Sequence, residues 1–263
     1  MFNRLALSLA LLSGFGAPAW ATVKYRIDGS GEVAVLNGQV PVGTVSGTVL
    51  VHVFSDSPST ESIGALTVTG TLSGSGELRV LVADASETFP LDLITTQDPG
   101  CVDFGGITIA DTDLRAVTRL VASAGNDVTG PITVGQVFRV HARGDIASAG
   151  DITATAADGL AGFKSIESVV CSNHLDGDVT SELGSIRKVV IGVNNTAGSR
   201  IDGDIKAENG RIGTIQSFGP IGVNRRVSIR AGNTIEEILS PGNGFTRGYT
   251  PAPRWGEHED PWL

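Results

Sequence analysis

Residues 177–190 read GDVTSELGSIRKVV and residues 203–216 read GDIKAENGRIGTIQ, and laid one over the other they match where it matters. Gly-Asp followed by Val or Ile opens each, a glycine returns seven positions later, and two apolar residues three apart close each. The same columns extend in both directions. Asp127-Val128, Asp151-Ile152, Asp178-Val179, Asp204-Ile205 and Ser228-Ile229 recur every 24 to 27 residues. Behind them run Val137/Val140, Ile166/Val169, Ile186/Val189, Ile212/Ile215 and Ile235/Ile238. A third column is suggested by Ile191-Gly192-Val193-Asn194 and its echo Ile221-Gly222-Val223-Asn224, and three columns imply three faces.

Units of this length cannot bury their apolar side chains alone, whereas stacked units about 4.8 Å apart line a shared interior with matching Val and Ile. β-Branched residues suit the pleat. A helical reading of Ile-x-x-Ile fails, because glycines at 184, 210, 213, 219 and 222 and Pro220 interrupt every candidate stretch. The expected fold is therefore all-β, a parallel β-helix spanning 107–240. Residues 22–106 lack the repeat but alternate well over Thr44–Phe54 and Leu66–Val82, which predicts strands. They are expected to form an N-terminal β-rich cap, since a solenoid end exposes unpaired backbone, or a small separate β-sandwich. Residues 241–263, with Pro241, Pro251, Pro253 and Pro261, are expected as an extended Pro-rich tail.

The motifs Gly144-Asp145-Ile146, Gly150-Asp151-Ile152, Gly177-Asp178-Val179 and Gly203-Asp204-Ile205, with the Ile-x-x-Ile pairs, resemble those of secreted bacterial β-helix repeat proteins. That resemblance implies a right-handed coil of the pectate-lyase type. It implies no catalytic residue, because nothing outside the structural columns matches.

Residues 1–21 have Arg4 ahead of the apolar run Leu5–Leu12 and end in Ala19-Trp20-Ala21, the pattern of a signal peptide cleaved before Thr22. Export to the cell surface, the medium or the periplasm is the expectation, with no membrane insertion after cleavage. Nineteen Lys and Arg stand against 28 Asp and Glu, a formal charge of −9, which disfavours nucleic acid and anionic membranes as partners. The partners such a rod would meet are a cell-surface polysaccharide or another solenoid protein. In an oxidising compartment Cys101 and Cys171 are either one disulfide or two buried thiols.

The sharpest chemical candidate is Asp176-Gly177-Asp178 with Asp202-Gly203-Asp204, one unit apart. Corner aspartates accepting turn amides are the first reading. Stacked carboxylates that repel and raise one another's pKa can also recruit calcium, or with Arg200 can act as the acid and base of a polysaccharide-active site. Phe138, Phe163 and Phe218 are assigned to the core, and Asn194 and Asn224 to a ladder of stacked amides. His141 and His174 have no nucleophile set beside them by any motif, and Arg143-Gly144-Asp145, an adhesion tripeptide in form, is explained by the repeat. The expected function is a non-catalytic structural or adhesive solenoid without a cofactor, with a polysaccharide lyase or glycoside hydrolase as the alternative.

Overall fold

A computed structural model of the protein describes residues 23–88, 98–159, 163–193 and 198–240, with the backbone of 243–249. Residues 1–22, which include the expected signal peptide, Asn194, and residues 241–242 and 250–263 of the expected Pro-rich tail lie outside the described residues. Strand is the dominant regular structure. One sheet holds β1 (Val23–Ile27), β2 (Val33–Ala34), β4 (Thr48–Ser55), β6 (Glu77–Val82), β8 (Thr118–Ala124) and β10 (Gln136–Ala142). It continues through β12 (Val169–Cys171), β15 (Ile186–Ile191), β18 (Ile212–Ser217), β20 (Ile235–Ser240) and β21 (Asn243–Tyr249). The second sheet holds β3 (Gln39–Val45), β5 (Leu66–Leu72), β7 (Ile107–Ile109), β9 (Ile132–Val134), β11 (Ile152–Ala154), β14 (Val179–Ser181), β17 (Ile205–Ala207) and β19 (Ile229–Ala231). On a third side lies the pair β13 (His174–Leu175) and β16 (Arg200–Ile201).

From β3 to β20 the chain alternates between the two large sheets, and each strand pairs in parallel with the strand one circuit later. The arrangement is all-β with stacked parallel strands, compatible with a β-solenoid. Antiparallel strands close the eleven-stranded sheet at both ends, β1 and β2 at the start and β21 at the finish. The single described helix, α1 (Thr112–Ala116), is a one-turn connection whose first turn is capped by Asp111, Oδ1 accepting the Leu114 N–H at 2.7 Å. It buries Leu114 against the interior.

Register explains the sequence columns. Val137, Ile166, Ile186, Ile212 and Ile235 stack directly, as do Val140, Val169, Val189, Ile215 and Ile238. Opposite them run Ile132, Ile152, Val179, Ile205 and Ile229. On the third side the interior column is Ile63, Phe104, Val128, Ile146, Leu175, Ile201 and Ile221. These side chains form one continuous core. Each fully covered Val or Ile contributes about 1.5–3 kcal/mol relative to exposure.

Three expectations change. Asp127-Val128 does not belong with Asp151-Ile152: Val128 stacks between Phe104 and Ile146 on the third side, while Ile152 stacks on Ile132. The two Ile-Gly-Val-Asn tetrapeptides share no column either. Ile191 ends a strand of the large sheet above Cys171, and Ile221 stacks on Ile201. What they share is a turn, with Gly192 and Gly222 at φ +82° and +76°. Finally, parallel stacking runs unbroken across position 106, through β3, β5 and β7 in one sheet and β4, β6 and β8 in the other. The strands from β3 to β6 therefore carry the same stacked order as those from β7 onward.

Candidate functional site

Each letter of the Gly-Asp-Ile motif has a separate physical job. The apolar residue enters the core. The aspartate reaches to the next circuit: Asp151 Oδ1 accepts the Asp178 N–H, Asp178 Oδ1 the Asp204 N–H and Asp204 Oδ1 the Ser228 N–H, all at 2.8 Å. The glycine permits close approach. A Cβ on Gly203 would collide with the Gly177 carbonyl oxygen, and one on Gly177 would sit 2.7 Å from the Ala147 carbonyl oxygen. A second ladder climbs the third side, with Asp103, Asp127 and Asp145 accepting from the amides of Asp127, Asp145 and His174 at 3.2, 2.7 and 3.0 Å. Carboxylates thus satisfy corner amides that no strand partner reaches.

The four candidate aspartates fall into different columns. Asp178 and Asp204 stand in the first ladder. Asp176 and Asp202 lie on the third side, bridged by Arg200, whose Nε donates to Asp202 Oδ2 at 2.7 Å and whose Nη2 donates to both oxygens of Asp176 at 3.3 Å. Lys206 pairs with Asp204 at 3.0 Å and Arg225 with Asp178 at 2.6 Å. Asp202 is almost wholly buried and also accepts the Val223 and Asn224 amides and the Asn224 side-chain amide, at 2.9, 3.1 and 2.7 Å. Burial alone would raise both carboxyl groups. The Asn224 amides and Arg200 instead hold Asp202 below the usual carboxylate range, and the Ser228 amide, Lys206 and Arg225 do the same for Asp204. The expected mutual rise is therefore reversed for these two, because the protein's own cations and amides compensate the charge. Asp127 shows the contrary case: burial, with Asp145 and Asp103 beside it, pushes its carboxyl up despite the Asp145 amide. Among the described residues no three His, Cys, Asp or Glu side chains are grouped to hold a metal ion.

The remaining candidates also find partners or positions of their own. Asp145 of Arg143-Gly144-Asp145 is engaged with the His174 amide, Gly144 is buried and Arg143 pairs with Asp98 at 3.5 Å. Asn224 donates its side-chain amide to Asp202, and Asn194, the other member of the expected amide ladder, lies outside the described residues. A different amide column exists, missed in the sequence: Asn209 Nδ2 donates to the Glu182 carbonyl at 2.7 Å and Asn233 Nδ2 to the Asn209 carbonyl at 3.1 Å. Phe138 is buried as expected, but in a second, smaller apolar cluster against which Phe163 packs, and not in the main interior. A register shift between Val137 and Arg139 turns Phe138 to the outer side of the eleven-stranded sheet. There it stacks on Phe163 with ring centres 5.0 Å apart, beside Leu81, Ala83 and Val121. Phe218 is 38 % exposed.

Cys101 and Cys171 are buried free thiols in one column, separated by Ala124 and Ala142. Three strand spacings put them about 14 Å apart, beyond the 7 Å limit for a disulfide between Cα atoms. Burial pushes the Cys101 thiol up to about 12 and raises Cys171 as well, so neither is a nucleophile as folded. Residues the sequence did not single out hold the insertions. Asp158 accepts the Ser165 and Ser185 amides at 3.0 and 2.6 Å. His52 accepts at Nδ1 from Arg26 at 2.9 Å and donates from Nε2 to the Ala83 carbonyl at 3.2 Å. No signal short of the folded geometry marks them.

Comparison with protein families, with curated proteins and with solved structures finds no match to this chain.

Proposed function

We propose that this chain is a non-catalytic, exported structural or adhesive protein, built as a right-handed parallel β-helix of the pectate-lyase type. The right hand is supported by the strong preference of parallel β-crossovers for that sense. The functional reading rests on one observation: the corner carboxylates of the repeat are engaged by the next circuit's amides and by Arg200, Lys206 and Arg225. A glycan-cleaving site needs an acid and a base free to exchange protons with substrate. Here those groups hold the stack together. An elongated body with repeating hydroxyl, amide and carboxylate faces suits contact with a cell-surface polysaccharide or another solenoid protein. The protein and Asp178→Asn/Asp204→Asn should be incubated with pectin, alginate and a sulfated glycan while reducing and unsaturated sugar ends are followed. No release is expected from either. Release by the parent that disappears in the double variant would replace this reading with the enzyme.

A further inference from the structure

The two aspartate ladders are built alike but their charge is balanced differently. Phe104, Val128, Ile146 and Leu175 stack in the interior of the third side, so the residue before each, Asp103, Asp127, Asp145 and His174, stacks one strand spacing apart. Arg200 continues the column above His174. Asp204 and Asp202 face Lys206 and Arg200, whereas among the described residues no Lys or Arg pairs with Asp103, Asp127 or Asp145. The cations that flank the column are engaged elsewhere, Arg143 with Asp98 and Arg200 with Asp176 and Asp202. Asp103 takes bonds from Ser62 Oγ at 3.0 Å and Asn126 Nδ2 at 2.9 Å as well as the Asp127 amide. Asp127, in the middle, has the Asp145 amide alone and a carboxylate on either side. The next circuit also presses against it, since a Cβ on Gly144 would collide with Asp127 Oδ1.

Three half-buried carboxylates at strand spacing, without a cation, repel when all are ionised, and the backbone register holds them from moving apart. A single proton at the middle position removes both repulsions at once. We propose that the column of Asp103, Asp127 and Asp145 takes up one proton, centred on Asp127, as the medium turns acidic. The third side of the stack is thereby tightened by the same acid that loosens the corners held by Asp202 and Asp204. Burial, with Asp145 and Asp103 beside it, pushes the Asp127 carboxyl up, while amides and cations hold Asp202 and Asp204 low. A carboxyl raised on folding adds stability that is complete below the unfolded value, about 3.9, and is lost as pH rises through the folded value. One held low adds stability that is present above about 3.9 and is lost as pH falls through its folded value. The two parts of the molecule therefore answer a change of pH with opposite signs.

Asp127→Asn keeps an oxygen for the Asp145 amide and removes the charge. At neutral pH it should raise the urea midpoint, whereas Asp178→Asn should lower it. The gain should shrink as the pH is brought down towards the ordinary aspartate value of about 3.9, because the parent then acquires the proton itself. Carbon-13 NMR of the parent's side-chain carboxyls should show Asp127 titrating above that value, and Asp145→Asn should bring it down. An Asp127 that titrates at or below about 3.9 would overturn the proposal whatever the variants do. So would a urea midpoint lowered at neutral pH by Asp127→Asn, failure of that variant to fold included, or a gain that does not change with pH. A calcium-dependent rise in the parent's Tm that Asp127→Asn abolishes would make a metal ion the neutralising partner and would likewise remove the proton.

Discussion

Asp178→Ala removes an acceptor that joins two circuits and an ion pair that joins a third. Asp178 Oδ1 takes the Asp204 N–H at 2.8 Å and the Arg225 guanidinium at 2.6 Å. Hydrogen bonds to charged groups contribute about 1.5–3 kcal/mol. The guanidinium is half exposed, so the ion pair adds at most about 1 kcal/mol. Part of the amide's loss is recovered by water, since the Asp178 side chain is 35 % exposed. The net cost should be about 2 kcal/mol, or roughly 4–8 °C in Tm for a chain of this size. Asp178→Asn retains an oxygen in the same place and loses only the charge, so it should cost about half as much. Urea unfolding of the three proteins, read by circular dichroism, measures the difference. If Asn is as damaging as Ala, the carboxylate acts through charge and not as a rung of the ladder. If Ala costs under about 0.5 kcal/mol, the ladder is decoration.

Ile212→Asp places a carboxylate in a fully buried column and should cost several kcal/mol, a change within a degree or two of the parent Tm being incompatible with the stacking described. His141 is pushed down to about 4 by burial and by Arg139 and Arg143, and burial likewise lowers His52, so both are neutral in the folded state. Unfolded histidine titrates near 6.5, so stability should fall as pH drops from about 6.5 to 4, by up to about 3 kcal/mol for His141. His141→Gln should flatten that slope, and an unchanged slope would place the titration elsewhere. Thiol titration without reductant should find both cysteines unreactive in the folded protein and both free after unfolding, a single missing pair of thiols being enough to refute the 14 Å column separation. Millimolar Ca²⁺ should leave Tm unchanged, because Arg200, Lys206 and Arg225 already face the four aspartates, and a rise in Tm abolished by Asp178→Asn/Asp204→Asn would restore the calcium reading.

The interior of the second half was legible because burial fixes both residue type and spacing. Ile186/Val189, Ile212/Ile215 and Ile235/Ile238 each lie within one strand of the eleven-stranded sheet and stack pair upon pair, so the same two columns recur in the sequence. The corners were less legible for a chemical reason. Asp followed by an apolar residue serves two different columns in the same way, and Gly144-Asp145-Ile146 and Gly150-Asp151-Ile152 are alike in letters but stack on different sides. The first half escaped because β4 and β6 run long enough to pair along most of their length, leaving fewer corner amides for an aspartate to cap. The candidate site was half visible: the aspartates could be named, but not the division between ladder and Arg200 bridge, since Arg225 reaches Asp178 from 47 residues away.

A motif whose every letter is engaged in stacking can be repeated or deleted without reference to a ligand. Specific recognition then has to come from the places where the repeat is broken. Two such places lie on the outer side of the eleven-stranded sheet. At one, Arg26 joins His52 and the Ala85 carbonyl; at the other, Phe138 and Phe163 stack beneath Arg119. The column that holds His52 continues through Leu81, Val121 and Arg139, and Phe138, at the register shift, has no register partner in β8. Nothing in the stacking requires an arginine over an aromatic ring there. Substitutions in the Gly-Asp-Ile columns should therefore be felt first as lost stability, whereas Phe163→Ala or Arg119→Met, away from the ladders, should separate any binding from the melting temperature.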